Sequence, residues 1–420
     1  MKRALWVGML LVTPLALAHD LAAVNDLTYV LQPDTEATIA VIEASDFDLV
    51  VMDYSEDASE SGAFSPAEIT SLKNSGKIVL AYLSIGEAEA YRYYWDATWN
   101  DQAAPDPDAP AWLGPFNPSF PDNYKVRYWD SDWQDIIYGT ASGPDQSYLD
   151  RIIDQGFDGI YLDIIDGYYF WSEEQGEVTR AEARTDMMDF VKDMATYARV
   201  TRGVSDFLVF PQNGDDIVWD DDENLDGEGT AYLAAISGIG VEDVFYDETT
   251  VQPAPETDYR KSALAHFVNA GLPVLSVDYV WDKSNPTSAA NESRYNDYET
   301  KALTEGYIPC AAVSDRDLNE LVEVTAGGGP LFNQPKPNSP LNVDFAHGGV
   351  ETGSASYPFA TIGAALAIVD AAGTILASAG QSSESLTISQ AVTLEAISGI
   401  VRIGASTRAS TERSGFRSQP

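Results

Sequence analysis

The run Gly156-Phe157-Asp158-Gly159-Ile160-Tyr161-Leu162-Asp163-Ile164-Ile165-Asp166 has the form of a buried strand that ends on a carboxylate. A second run, Ile236-Ser237-Gly238-Ile239-Gly240-Val241-Glu242-Asp243, ends the same way. Both are continuous in apolar residues rather than alternating, as expected of strands covered on both faces. When parallel strands form a barrel, their C-terminal ends face one mouth and build the active site there. Two carboxylates on different strand ends are the minimum equipment for glycoside hydrolysis.

Working outward from these runs, similar apolar segments predict eight strands, at 27–32, 47–54, 78–85, 159–165, 207–213, 240–246, 273–279 and 308–313. Amphipathic stretches at 65–74, 148–155, 180–200, 230–236, 259–269, 293–304 and 317–322 separate or follow them. Strand then helix, repeated about eight times, predicts an α/β fold, a (β/α)8 TIM barrel over residues 19–325. The strand ends carry Asp53 and Tyr54, then Ser84, Gly86, Glu87 and Glu89, then Asp163 and Asp166. Gln212 and Asn213, Glu242 and Asp243, Asp278 and Tyr279, and Ser314 and Asp315 complete the set. An acidic residue just after a strand commonly caps the next helix, which suffices for Asp243, Asp315 and Asp317. It explains Asp163 less well, since apolar residues continue beyond it. It also explains Glu242 less well, since Glu is a poor cap.

The chain has 420 residues, 45% of them hydrophobic, enough for a large core. Lys and Arg number 24 against 66 Asp and Glu, a formal charge of -42. That balance excludes a nucleic-acid partner, which requires a basic face. It suits a cationic ligand, or simply a well-solvated surface. Cys310 is the single cysteine, so no internal disulfide forms. His19, His266 and His347 are scattered, which argues against a zinc site or a Ser-His machine. Acid-base chemistry then falls to carboxylates, with no cofactor. Asp222, Asn224 and Asp226, followed by Gly227, match the first half of a calcium loop. Leu233 stands where that loop requires Glu, so a solvated acidic loop is the simpler reading.

Met1-Lys2-Arg3, an apolar stretch and the exit Ala16-Leu17-Ala18 form the three parts of a secretory signal over residues 1–18, cleaved after Ala18. The stretch is too short for a stable membrane span. Residues 326–340, rich in Gly and Pro, read as a linker. Residues 341–405 resemble the opening cap of a parallel β-helix with only one or two rungs, and 406–420 read as a disordered tail. The long connection 87–147 holds five of the nine tryptophans, including Trp129. Such rings either stack on sugar faces or form a satellite core beneath the loop.

The motifs together resemble a known family. They are Asp53-Tyr54-Ser55, the run from Ala81 to Glu89 with Tyr91-Arg92-Tyr93-Tyr94-Trp95, and Val126-Arg127-Tyr128-Trp129-Asp130. The run from Gly156 to Asp166, Gln212-Asn213 and Gly240-Val241-Glu242-Asp243 complete the series. In this order they resemble glycoside hydrolase family 114, the secreted endo-α-1,4-polygalactosaminidases. The resemblance implies a TIM barrel that cleaves galactosamine-rich polysaccharide, with Asp163 and Glu242 as its catalytic pair. Asp163 is expected as nucleophile or charge stabiliser. Glu242 is expected as general acid with a raised pKa. Asp53, Tyr82, Glu87, Trp129, Asp166, Asn213, Tyr246 and Asp278 are the expected substrate-binding residues. Two other readings stay open: a glycosidase for another amino-sugar polymer, and a non-catalytic carbohydrate-binding or surface module.

Overall fold

The computed structural model describes residues 19–31, 38–45, 47–99, 109–285, 288–319, 321, 340–347, 358–369 and 372–404. The signal segment, nearly all of the linker and the C-terminal tail lie outside these residues. Eight parallel strands are present: β1 (Leu27–Val30), β2 (Leu49–Met52), β3 (Ile78–Ser84), β4 (Gly159–Asp163), β5 (Leu208–Pro211), β6 (Ile239–Glu242), β7 (Val274–Trp281) and β8 (Ile308–Val313). β1 to β5 pair in sequence order as one sheet, and β6 to β8 form a second. A parallel bridge between Gln212 and Gly240 joins the exit of β5 to β6, and the Asn213 amide donates to the Gly240 carbonyl at 2.8 Å. On the other side, the Leu31 amide donates to the Leu318 carbonyl at 2.8 Å, tying the exit of β1 to the segment after β8.

Side chains alternate between two apolar clusters, which is why the strand sequences are apolar without a break. Leu27, Tyr29, Val51, Leu80, Tyr161, Phe210, Val277 and Cys310 lie in one inner cluster to which every strand but β6 contributes. Their neighbours Val50, Val79, Ile160, Val209, Val241 and Val274 face the helices in the other. At the corresponding inner position β6 carries Gly240, where an added Cβ would lie 1.9 Å from the Tyr161 hydroxyl oxygen. Gly240→Ala therefore has to displace a buried ring, and we expect a loss of about 1–3 kcal/mol. Urea unfolding measures it; an unchanged midpoint would mean that the Tyr161 ring moves freely.

Seven helices follow the strands: α1 (Ile39–Ala44), α2 (Pro66–Asn74), α3 (Tyr148–Gln155), α4 (Arg180–Thr196), α5 (Gly227–Ala235), α6 (Ala254–Asn269) and α7 (Ala289–Thr304). Local chemistry sets their starts. Ser65 with Glu68 and Thr179 with Glu182 form reciprocal capping boxes, and the Asp226 side chain accepts from the Gly229 amide. Gly156, with φ of +90°, ends α3. The sequence gives no hint of the short α1. It also predicts a helix at 317–322, but residues 317–319 and 321 are not helical. Leu318 has φ of +48°, and its carbonyl is committed to β1 rather than to a helix.

The long connection after β3 is a small body of its own. Glu87–Glu89, Phe120–Val126 and Leu113–Asn117 form an antiparallel sheet, followed by the helix Ser131–Ile137. Its tryptophans pack on one another, Trp95 to Trp99 at 5.4 Å, Trp99 to Trp112 at 5.3 Å and Trp112 to Trp133 at 4.9 Å between centroids. They join the core beneath the loop. Past residue 340, short parallel strands pair with offsets of one rung, Leu341–Val343 with Thr374–Ala377 and the latter with Thr393–Ala396. Their core holds Leu341, Phe359, Ile362 and Ile375.

Candidate active site

Asp163 is the last residue of β4, and the backbone turns sharply after it. Ile164 has φ of +59°, costly for a β-branched residue. Asn213 after β5 and Asp243 after β6 are also left-handed, at +61° and +55°. Three successive strand ends are thus strained at one place. Gly86, after β3, lets the chain in close: an added Cβ would meet the Ile164 carbonyl oxygen at 2.2 Å. The turn aims the Ile164 amide at Asp163 Oδ1, 2.8 Å away, while Tyr82 on β3 donates to Oδ2 at 2.7 Å.

Glu242, the last residue of β6, is held as firmly. Asn213 Nδ2 donates to its Oε2 at 3.0 Å, and the Asn213 side-chain oxygen accepts from the Glu242 amide at 3.0 Å. Tyr279 on β7 donates to Oε1 in a short hydrogen bond. Burial, and then the neighbouring carboxylates, push both phenols well up, so Tyr82 and Tyr279 remain donors. Asp163 is half-buried, and its carboxyl is pushed up to about 8, first by burial and then by the charge of Glu242; the Tyr82 and Ile164 hydrogen bonds oppose the shift.

The other expected residues divide. Asp166 is exposed at the same mouth and has no ion-pair partner among the described residues. Glu87 is buried beside it but is neutralised by Lys125 at 2.6 Å and held by Asn117 at 2.9 Å. Asp53 is buried in a bidentate pair with Arg92, at 2.7 and 3.0 Å. Asp278 faces away from the inner cluster, and its two oxygens accept the amides of Val244, Phe245 and Tyr246, a clamp on the loop after β6. Tyr246 turns outward to Asp297 of α7, at 2.6 Å. Trp129 packs edge-on against Tyr128 and Trp171, at 5.0 and 5.6 Å. Asp53, Asp278, Tyr246 and Trp129 each have partners within the fold, and none of them lines the cleft beside Glu242.

Tyr279, named in the sequence only as a strand-end residue beside Asp278, is the member of that pair that bonds Glu242. Its neighbour Asp278 looked more chemical, yet strand alternation puts Tyr279 on the inner side with Val277. Arg316 also enters the site, bonded to Asp243 at 2.7 Å and lying 4.2 Å from the Tyr279 ring centroid. Asp226, of the calcium-like segment, is committed to Arg184 at 2.8 Å and to the cap of α5. Beside Glu242 and Asn213 opens a cleft of about 400 Å³, walled by Asp166, Tyr169, Asp216 and Tyr259.

Carboxylates held at the C-terminal ends of parallel strands are the equipment of the glycoside hydrolases. The chain belongs to glycoside-hydrolase family GH114, whose model matches residues 18–329. It is 41% identical over 280 residues to an uncharacterized protein of Thermotoga maritima, covering 67% of this chain and 79% of that one. A Methanocaldococcus jannaschii relative is 39% identical over 287 residues, covering 68% and 75%. Among solved structures, the glycoside hydrolase domain of PelA from Pseudomonas aeruginosa is 18% identical, with a TM-score of 0.45 over 71% of this chain and 97% of that one. Aspergillus fumigatus Ega3 in complex with galactosamine is 16% identical, with a TM-score of 0.46 over 70% and 93%. Among the described residues no helix is long and apolar enough to cross a membrane.

Proposed function

We propose that this protein is a secreted endo-acting hydrolase of α-1,4-linked, galactosamine-containing polysaccharide, with Asp163 and Glu242 as its catalytic pair on a closed (β/α)8 barrel. The observation that carries the reading is a pair of carboxyls at strand ends, each with both oxygens held by hydrogen bonds, with the Glu242 charge bearing on Asp163. Family membership supplies the reaction class. The acidic charge of -42 and Asp166, exposed at the mouth, favour a cationic polymer over an acidic one. Export rests on the form of residues 1–18.

The pair works with one proton. In the free protein burial and the neighbouring Glu242 both disfavour the charged form of Asp163, so we read the pair as sharing one proton. A sugar ammonium entering beside Asp163 favours its ionised form and moves the proton toward Glu242. Glu242 then protonates the leaving oxygen, and ionised Asp163 stabilises or attacks the oxocarbenium-like carbon. Tyr82 and Tyr279 keep the carboxyls aimed, and Asn213 fixes Glu242 at both its amide and its side chain.

The test is release of oligosaccharides from purified α-1,4-galactosamine polymer, followed across pH. We expect kcat/KM to fall above about pH 8, where the last proton leaves the pair. An unchanged rate from pH 7 to pH 10 would remove Asp163 from the acid-base chemistry. No release at any pH would refute the substrate.

A further inference from the structure

Directly after β4 the chain makes a single helical turn, Gly167–Tyr169, that runs into a π turn, Phe170–Glu174. This places Tyr169 on the rim of the cleft, 42% exposed. Across from it stands Tyr259 of α6, 37% exposed. Both hydroxyls donate to the same oxygen of Asp216, at 3.3 and 2.9 Å. Asp216 itself is buried, and Tyr168 and Arg180 hold it from within. The Tyr169 ring leans on Tyr168 at 5.1 Å, and Tyr259 stands edge-on to Trp219 at 5.4 Å.

A buried carboxylate anchoring two rings that stay exposed contributes little to the core. It does fix both rings before any ligand arrives, which removes an ordering cost from binding. Aromatic faces suit the C–H face of a pyranose. Asp166 and Glu256 lie exposed on the same walls, where an ammonium can reach them. The cleft runs on from Glu242, and its volume of about 400 Å³ exceeds one hexosamine ring.

We propose that Tyr169 and Tyr259, oriented by Asp216, form a subsite for a further hexosamine unit of the chain, beside the unit at the Asp163–Glu242 pair. The subsite takes a pyranose bearing a free ammonium in preference to an N-acetylated or acidic one. The proposal rests on the hydrolase reading, but binding tests it separately.

The experiment uses purified α-1,4-galactosamine oligosaccharides of increasing length, with calorimetric binding and kcat/KM measured on the same full chain. Tyr169→Ala and Tyr259→Ala are expected to weaken binding and lower kcat/KM by roughly 5- to 10-fold on the longer oligosaccharides, with a penalty that grows with length. Tyr169→Phe, which keeps the ring but loses the bond to Asp216, recovers only part of the loss. N-acetylated oligosaccharides respond less to either substitution. Equal penalties at every length, or none, would overturn the subsite while leaving the hydrolase intact. Tyrosine-dependent binding with no hydrolysis by the unsubstituted protein would overturn the hydrolase and leave the subsite standing.

Discussion

Asp163→Asn and Glu242→Gln are each expected to lower kcat by about 10³–10⁴-fold, with binding of the polymer largely kept. Asn at 163 can still accept the Ile164 amide, and Gln at 242 can still meet Asn213 and Tyr279. Neither can carry the charge or give the proton. The two variants should part company in stability. The Asp163 carboxyl is held at about 8 in the folded protein, whereas in an unfolded chain it ionises near ~4. The folded form therefore binds more protons between those values, so the group's contribution to stability falls as pH rises from 4 to 8. Asn at this position removes that cost, and Asp163→Asn should be more stable than the parent at pH 8, with the advantage shrinking as pH falls toward 4. Reducing-end release and thermal melting measure the two effects. Retained turnover in either variant would end the two-carboxylate mechanism.

The second large effect is expected away from the chemistry. Arg92 is buried with Asp53 and Glu89, which it bonds at 2.7 and 2.6 Å. Its guanidinium also lies 5.6 Å from the Tyr54 centroid and 5.5 Å from that of Tyr148. Arg92→Met fills most of the volume but strands two carboxylates where water cannot reach them. A loss of about 3–5 kcal/mol is expected in urea unfolding. Burial already pushes Asp53 up and Arg92 opposes it, so without the cation Asp53 rises further. Lowering the pH should then recover part of the lost stability, because protonation removes the stranded charge. By contrast, breaking the exposed contact of Lys192 with Glu228 should cost less than ~1 kcal/mol. A small loss for Arg92→Met, comparable with that surface pair, would mean that the cluster is hydrated.

Much of this architecture is legible in the sequence because strands covered on both faces leave unbroken apolar runs. All eight runs correspond to strands; most strands are shorter than their runs, β8 matches its run, and β7 continues past its run to Trp281. The segment at 317–322 was misread because its amphipathic pattern does not reveal that the Leu318 carbonyl is needed by β1. Alternation within a strand is the other limit. At the end of β7 an acid and a phenol stand side by side, and only the register decides which one meets Glu242. Asp53, Asp278 and Tyr246 share the mouth's neighbourhood in sequence, but their partners, Arg92, three loop amides and Asp297, come from distant segments. No local pattern announces those pairings. Tyr169 was likewise hidden, since a residue after a strand end gains meaning only once Asp216 and Tyr259 are placed beside it.

The clustered indoles have a practical consequence. Five of the nine tryptophans sit in the one insertion after β3, three pairs of them with ring centroids within 5.4 Å. Light absorbed by any of them is readily passed to its neighbours. Intrinsic emission from this protein is thus weighted toward the insertion, whereas far-ultraviolet dichroism is weighted toward the helices around the parallel sheets. A denaturation curve read by fluorescence and one read by dichroism follow different parts of the chain, and a lower midpoint by fluorescence reports the insertion coming loose first.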